Sequence, residues 1–180
     1  MKGRNTKINA MARMSLMAAM LCVIGPVTIP VGIVPVSLLP LALYFLVYVL
    51  GMWKALGSCL VYICIGLLGI PVFSGYSGGP GVLLGPTGGY LSGYLFLTFC
   101  SGFFIEHFQK KWMHFLGMLL GISGCYLIGT LWLAFSADMT FYQALMTGVA
   151  PFVFFDVIKI AAATVLGPPF RRHLKKADML

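Results

Sequence analysis

Long apolar runs alternate with short breaks along nearly the whole 180-residue chain. A helix needs roughly 17–25 apolar residues to cross the hydrocarbon core of a bilayer. Runs of about that length are predicted as helices at about residues 10–29, 36–52, 55–70, 86–105, 112–135 and 152–167. The breaks differ in character. IPVGIVP and Trp53–Lys54 make short turns, EHFQKK is strongly polar, and SADMTFYQALMTGVA has room for a short helix. Pro151 is placed to open the sixth run, since a first-turn proline loses no hydrogen bond. The chain then closes on the tail PPFRRHLKKADML.

Composition sharpens this into a class. The chain is 60% hydrophobic and 9% charged, with mean hydropathy +0.98, whereas soluble domains carry about 25% charged residues. The fold class expected is an all-α integral membrane protein: six transmembrane helices in one compact bundle, a single domain over 1–180. The start of the chain does not read as a cleaved signal, because Pro26 and Pro30 follow its apolar run and further spans come after. The net charge of +8 sets topology and does not indicate nucleic acid. Six spans place both termini and the loops at Lys54 and Lys110–Lys111 on one side. That side holds eleven of the twelve Lys and Arg residues, and the opposite loops carry only Asp138. By the positive-inside rule both termini are cytoplasmic, in a multi-pass protein of a bacterial cytoplasmic membrane. The five cysteines fall inside apolar runs without a CxxC pair or metal spacing, so packing is their expected role and no metal is expected.

The longest break is Pro71 to Gly93, PVFSGYSGGPGVLLGPTGGYLSG, with eight of the 22 glycines, three of the ten prolines and no charge. Its first half disfavours a helix. Its second half carries small residues four apart at Gly85, Gly89 and Gly93, a close-packing helix edge. The stretch reads as a long outer loop between helices 3 and 4. Irregular backbone at membrane depth persists only where it is buried in protein or lines a cavity. The topology gathers IPVGIVP, this loop, the Asp138 loop and the start of span six on the outer face, where they can enclose a pocket.

Two residues could carry chemistry there. Asp156 and Lys159, three apart in FVFFDVIKIAAATVLG, share one helix face. A charge within a span costs about 2.5–3.5 kcal/mol on insertion scales and usually marks a functional site. As a ligand site, Asp156 accepts N–H donors and Lys159 donates to an oxygen or carboxylate; the alternative is an internal pair that only neutralises itself. GPTGGY lacks the Lys-Ser/Thr ending of a phosphate loop, and no HExxH, GxSxG or Cys/His cluster occurs. His107, His114 and His173 are expected as solvated or interfacial groups. Tyr90 is a ligand candidate at the end of the loop, with packing as its alternative, and Tyr94 follows at helical spacing. Trp53, Trp112 and Phe170 are expected to anchor the interface. In span one, Ser15 with Ala19 and Ala18 with Cys22 form small-residue pairs, suited to helix packing or to docking another membrane protein.

The run PVFSGYSGGPGVLLGPTGGYLSGY closely resembles the signature of the BioY family, the biotin-binding substrate-specific (S) components of energy-coupling factor (ECF) transporters. An Ala- and Met-rich first span, the VPVSLLPL segment and the late D-x-x-K of Asp156 and Lys159 agree, so the resemblance covers about residues 10 to 168. It implies six helices, cytoplasmic termini and an outward vitamin pocket capped by loops. Asp156 and Lys159 would help hold biotin, with the loop from Ser74 to Gly85 (Ser74, Tyr76, Ser77, Gly78, Gly79, Val82, Leu83 and Gly85) and Tyr90 around it. Val34 and Val36 would line the ring and chain. Ser15, Ala18, Ala19 and Cys22 would dock a transmembrane coupling protein of the EcfT type, and a pair of ABC-type ATPases would hydrolyse ATP. Biotin is then the transported ligand, with no cofactor. The chain departs from the family pattern at Leu39, where Gln is frequent, and in a loop that holds no amide.

Three functions compete. A biotin-specific S component, or one for another small vitamin-like carboxylate, binds its ligand alone. A self-sufficient secondary transporter would show inverted repeats or a relay of ionisable residues; the chain has neither. A membrane enzyme would need a third positioned group or a metal site beside Asp156 and Lys159.

Overall fold

The computed structural model describes residues 2–29 and 36–176. Val34 therefore lies outside the described residues. In chain order the elements are α1 (Lys2–Ile24), the strands β1 (Thr28–Ile29) and β2 (Val36–Ser37), α2 (Leu39–Leu50) and α3 (Met52–Leu67). A 3-10 turn (Ser74–Tyr76) and α4 (Pro80–Leu84) follow, then α5 (Gly88–His107), α6 (Lys111–Ser136), α7 (Phe141–Gly148) and α8 (Ala150–Lys176). The strands pair antiparallel, Thr28 opposite Ser37 and Ile29 opposite Val36, so the expected IPVGIVP turn is flanked by a short hairpin stem.

Three helices, α5, α6 and Ala150–Leu174 of α8, are long and apolar enough to cross a membrane; Ile8–Ile24, α2 and α3 are shorter apolar helices. Large apolar side chains point outward from them, including Phe135, Phe154 and Val23, while Tyr44, Tyr62, Leu97 and Met118 fill the interior. Apolar surface outside and hydrogen-bonded helices throughout suit lipid as the solvent. The chain is an all-helical, multi-pass membrane protein.

The helices differ from the predicted runs at several ends. The break after α2 falls at Gly51, whose φ of 77° suits glycine, while Trp53 and Lys54 lie in the first turn of α3. Glu106 of α5 accepts the Met52 N–H at 2.7 Å, so a carboxylate from another helix satisfies the start of α3. With 12 residues, α2 rises only about 18 Å at 1.5 Å per residue; the hairpin supplies the rest of that segment. Upstream, α1 begins at Lys2 and not near Ala10. The expected tail is helical too: α8 continues through Pro168 and Pro169 to Lys176. Gly167 precedes them without a Cβ to clash with the proline ring, and packs against the Tyr48 ring. α7 carries a reciprocal cap in T-x-x-Q: Thr140 Oγ1 accepts from the Gln143 N–H, and Gln143 Oε1 from the Thr140 N–H.

α5 and α6 form the most extensive helix pair. Glycines on each helix let the other approach closely: a Cβ on Gly93 would sit 3.0 Å from Cys125 Cα, and one on Gly121 3.0 Å from the Leu97 carbonyl oxygen. Such close approach lets dispersion and Cα–H contacts accumulate where no hydrophobic effect drives association. His114 was expected at the interface. It is buried instead, between the Tyr48 hydroxyl at 3.1 Å and the Phe108 carbonyl at 2.8 Å, which satisfy both ring nitrogens inside the bundle.

Candidate functional site

The central stretch is more ordered than a loop alone. Pro80 opens α4, where its missing N–H is no loss, and α5 begins at Gly88. Phe73 is fully buried and seats its ring on Gly66. Backbone bonds tie the segment down: Phe73 N–H to Ser77 O at 2.9 Å, Gly79 N–H to Gly66 O at 2.7 Å and Gly75 N–H to Pro26 O at 3.3 Å. Two side chains from neighbouring helices add to these. The Tyr62 hydroxyl donates to Val72 O at 3.0 Å, and the Trp132 indole N–H to Gly85 O at 2.9 Å. The glycines supply backbone groups and close approach in place of side-chain chemistry.

Asp156 and Lys159 face inward from the first half of α8. Lys159 Nζ donates to Asp156 Oδ1 at 2.7 Å and to the Ser37 carbonyl, at the end of the hairpin, also at 2.7 Å. The Tyr126 hydroxyl of α6 donates to Asp156 Oδ2. Asp156 is buried, and Lys159 nearly so. Three separate elements thus converge on one ion pair.

Two small chambers adjoin here. One, of about 50 Å³, is lined by Asp156, Lys159, Tyr126, Phe152, Ile122 and neighbouring residues. The other, of about 40 Å³, lies under the central stretch and is lined by Tyr62, Phe73, Ser74, Val82, Thr87 and Leu91, among others. Ser37, Tyr90 and Tyr94 line both and form the wall between them. The Ser74 hydroxyl is buried and has no hydrogen-bond partner among the described residues. No group of three or more His, Cys, Asp or Glu side chains that could hold a metal occurs among them either.

Of the residues expected at a ligand site, Asp156, Lys159, Tyr90, Ser74 and Val82 line these chambers. Tyr90 presents its ring, since its hydroxyl donates to Gly148 O at 3.1 Å. Val36 is buried in β2 beside Ser37, and Leu83 packs against the core. Ser77, Gly78, Gly79 and Gly85 shape the loop through backbone contacts. Tyr76 is 71% exposed and points away from both chambers. Tyr94 and Leu39, both remarked on in the sequence, also line the chambers, and so do Ser37 and Tyr126, which the sequence reading did not single out. Tyr94, one helical turn beyond Tyr90, and Leu39, in the VPVSLLPL segment, carried a signal; Tyr126 and Ser37 carried none, because only the fold brings them to α8. In α1, Ser15 and Ala19 are exposed while Ala18 is buried and Cys22 packs against the core, so the small-residue pattern is split between an outer and an inner face.

The family model for BioY matches residues 1–176. The biotin transporter BioY2 of Lactococcus lactis subsp. cremoris is 36% identical over 176 residues, 97% of each chain. The biotin transporter BioY of Thermotoga maritima is 31% identical over 161 residues, 88% of this chain and 92% of the relative. A solved structure, the S-component for biotin from an ECF-type ABC transporter at 2.1 Å, superposes with a TM-score of 0.83 at 26% identity, covering 93% of both chains. The signature loop, the buried D-x-x-K and these likenesses over nearly the whole length lead to one assignment: the chain belongs to the BioY family.

Proposed function

We propose that this chain is the biotin-binding, substrate-specific subunit of an ECF-type vitamin uptake transporter, a single domain of six transmembrane helices with both termini in the cytoplasm. The observation that carries this reading is the Asp156–Lys159 pair, buried at the wall of two adjoining chambers under a pinned, glycine-rich cap. Such a pair in a span marks a ligand path more often than a packing device. Biotin supplies what it lacks: ureido N–H donors for the carboxylate, an oxygen acceptor for the ammonium, and an apolar ring for the aromatic wall. The relatives are named biotin transporters, and the chain acts as a transporter subunit and not as an enzyme.

Each chamber holds only a few waters' worth of space. Binding must therefore part the Ser37–Tyr90–Tyr94 wall or lift the cap. On this reading the structure is a closed form, opened by either of these movements.

Transport then needs partners. The exposed side of α1, with Ser15 and Ala19 between Met11 and Val23, offers a small-residue strip on which a coupling membrane protein of the EcfT type can dock, with a pair of ABC-type ATPases beneath it. The test is calorimetric titration of the purified, detergent-solubilised chain with biotin, desthiobiotin and thiamine. Nanomolar biotin affinity without ATP or partners supports the reading. A folded protein that ignores biotin overturns it.

A further inference from the structure

α1 packs chiefly on α3, where Ser58 Oγ donates to the Met14 carbonyl at 3.0 Å, while α8 packs on α2. The two helices therefore diverge on either side of α2 and leave a crevice between them. Its larger part, about 650 Å³, runs along Met20 and Ile24 of α1, Leu41 and Phe45 of α2 and Leu166 of α8. Its smaller part, about 420 Å³, lies toward the chain termini, beside Asn9, Arg13 and Leu174. Met17, Val49 and Phe170 line both parts, so the crevice is continuous. Phe45 and Phe170 pack edge-on with ring centroids 6.0 Å apart and tie α2 to α8 alongside it.

We propose that this crevice holds an anionic phospholipid of the surrounding bilayer, with an acyl chain lying between α1 and α8 and the phosphate on Arg13, Asn9 and His173.

The walls call for a chain. Apart from His173, every residue lining the larger part is apolar, so water finds no hydrogen-bond partners along it. Left empty, the walls would forfeit their dispersion contacts. A flexible hydrocarbon chain follows such an irregular surface, and Met17 and Met20 adapt to it.

The polar groups call for an anion. They gather at the end of the crevice nearest the termini: Asn9 and Arg13 on α1, His173 on α8. Arg171 and Arg172 directly precede His173. No Asp or Glu lines either part, so nothing in the crevice neutralises Arg13. A guanidinium fork matches two phosphate oxygens, and basic pockets between helices at a membrane face bind anionic headgroups. A zwitterionic headgroup brings its own cation to the same place and gains less.

A partner helix fits the crevice less well. Ser15 and Ala19, the small residues suited to helix docking, lie on another face of α1 from Arg13, Met17, Met20 and Ile24 by the helical period. The walls here are long side chains, which keep a second backbone at a distance.

The experiment is native mass spectrometry of the full chain in detergent, titrated with phosphatidylglycerol or phosphatidylcholine carrying the same acyl chains. The first phosphatidylglycerol is expected to bind at least about fivefold more tightly than phosphatidylcholine, the effect of roughly one basic side chain beside an anionic lipid. Arg13→Gln combined with His173→Gln is expected to remove most of that preference. Lys111→Gln, at the start of α6 and outside the crevice, is expected to keep it. Leu166 is 55% exposed, so Leu166→Trp fills the larger part without entering the core and is expected to weaken both lipids several-fold. Equal binding of the two lipids by the wild-type chain overturns the assignment and leaves the crevice to a partner helix. A preference that survives the double variant, or that Lys111→Gln removes as fully, overturns it in favour of general surface charge. Should the double variant fail to fold, Leu166→Trp decides: undiminished phosphatidylglycerol binding places the lipid elsewhere.

Discussion

Lys159 bridges two parts of the chain that are 122 residues apart, donating to the Ser37 carbonyl at 2.7 Å while holding Asp156 at 2.7 Å on its own helix. The hairpin end and α8 are thus tied through a buried ion pair. Next to that contact the Leu39 N–H donates to Ser37 Oγ at 3.0 Å, so the end of the hairpin is fixed both to the start of α2 and to α8.

Asp156→Ala removes the acceptor and leaves a buried ammonium. Biotin affinity is expected to fall by at least about tenfold, on the order of 1.4 kcal/mol. Titration of the folded variant checks this, and unchanged affinity would remove Asp156 from the site.

Tyr126→Phe deletes the hydroxyl that donates to Asp156 Oδ2 and keeps the ring. The carboxylate loses one of its two fixed partners, so affinity is expected to drop several-fold, about 1–2 kcal/mol. The thermal midpoint should change little. A drop in stability without a drop in affinity would make Tyr126 a packing residue alone.

Trp132→Phe frees the Gly85 carbonyl from its indole partner at 2.9 Å. The cap is then held at one point fewer. Ligand dissociation, followed by stopped-flow fluorescence, is expected to accelerate more than association changes. Equal effects on both rates would count against the stretch acting as a cap.

Ala19→Trp and Ala18→Trp separate the two faces of α1. Ala19 is exposed and Ala18 is 2% exposed. Tryptophan at Ala19 should leave biotin binding intact and impair uptake in cells containing the coupling partners. At Ala18 it overpacks the bundle, an error that typically costs about 1–3 kcal/mol, and the thermal midpoint should fall. Normal uptake by the Ala19 variant would remove that strip from the docking surface.

Gly93→Val places a branched side chain where a single Cβ already comes 3.0 Å from Cys125 Cα. Because the obstacle is backbone, α5 and α6 must separate. A clear fall in the unfolding temperature is expected, and a neutral result would show that this helix pair has slack.

The class of protein was legible in the chain because the bilayer imposes its demands locally. Apolar runs long enough to span, an excess of lysine and arginine in alternate loops, and a charged pair inside a span all register in single segments. The signature loop was legible for the same reason, since glycines and prolines at those spacings dictate a local backbone. Helix ends were less so: the break at Gly51 depends on Glu106 reaching from α5, and the helical tail through Pro168 and Pro169 depends on Gly167 fitting against Tyr48. Hydropathy does not encode either contact.

The site divides along the same line. Asp156, Lys159, Ser74 and Tyr90 could be named from the sequence, because charge within a span and a shaped loop are unusual wherever they occur. Tyr126 and Ser37 were decided by the tertiary structure alone. A tyrosine or serine in an apolar helix looks like any packing residue until three distant elements meet, and that meeting is set by which small faces let the helices approach. The sequence by itself determined a membrane bundle carrying one buried ion pair under a glycine-rich cap. Only the packing of α6 on α5 and α8 decided which hydroxyls and rings surround that pair, because side-chain partners 30 to 122 residues apart exist only once the chain has folded.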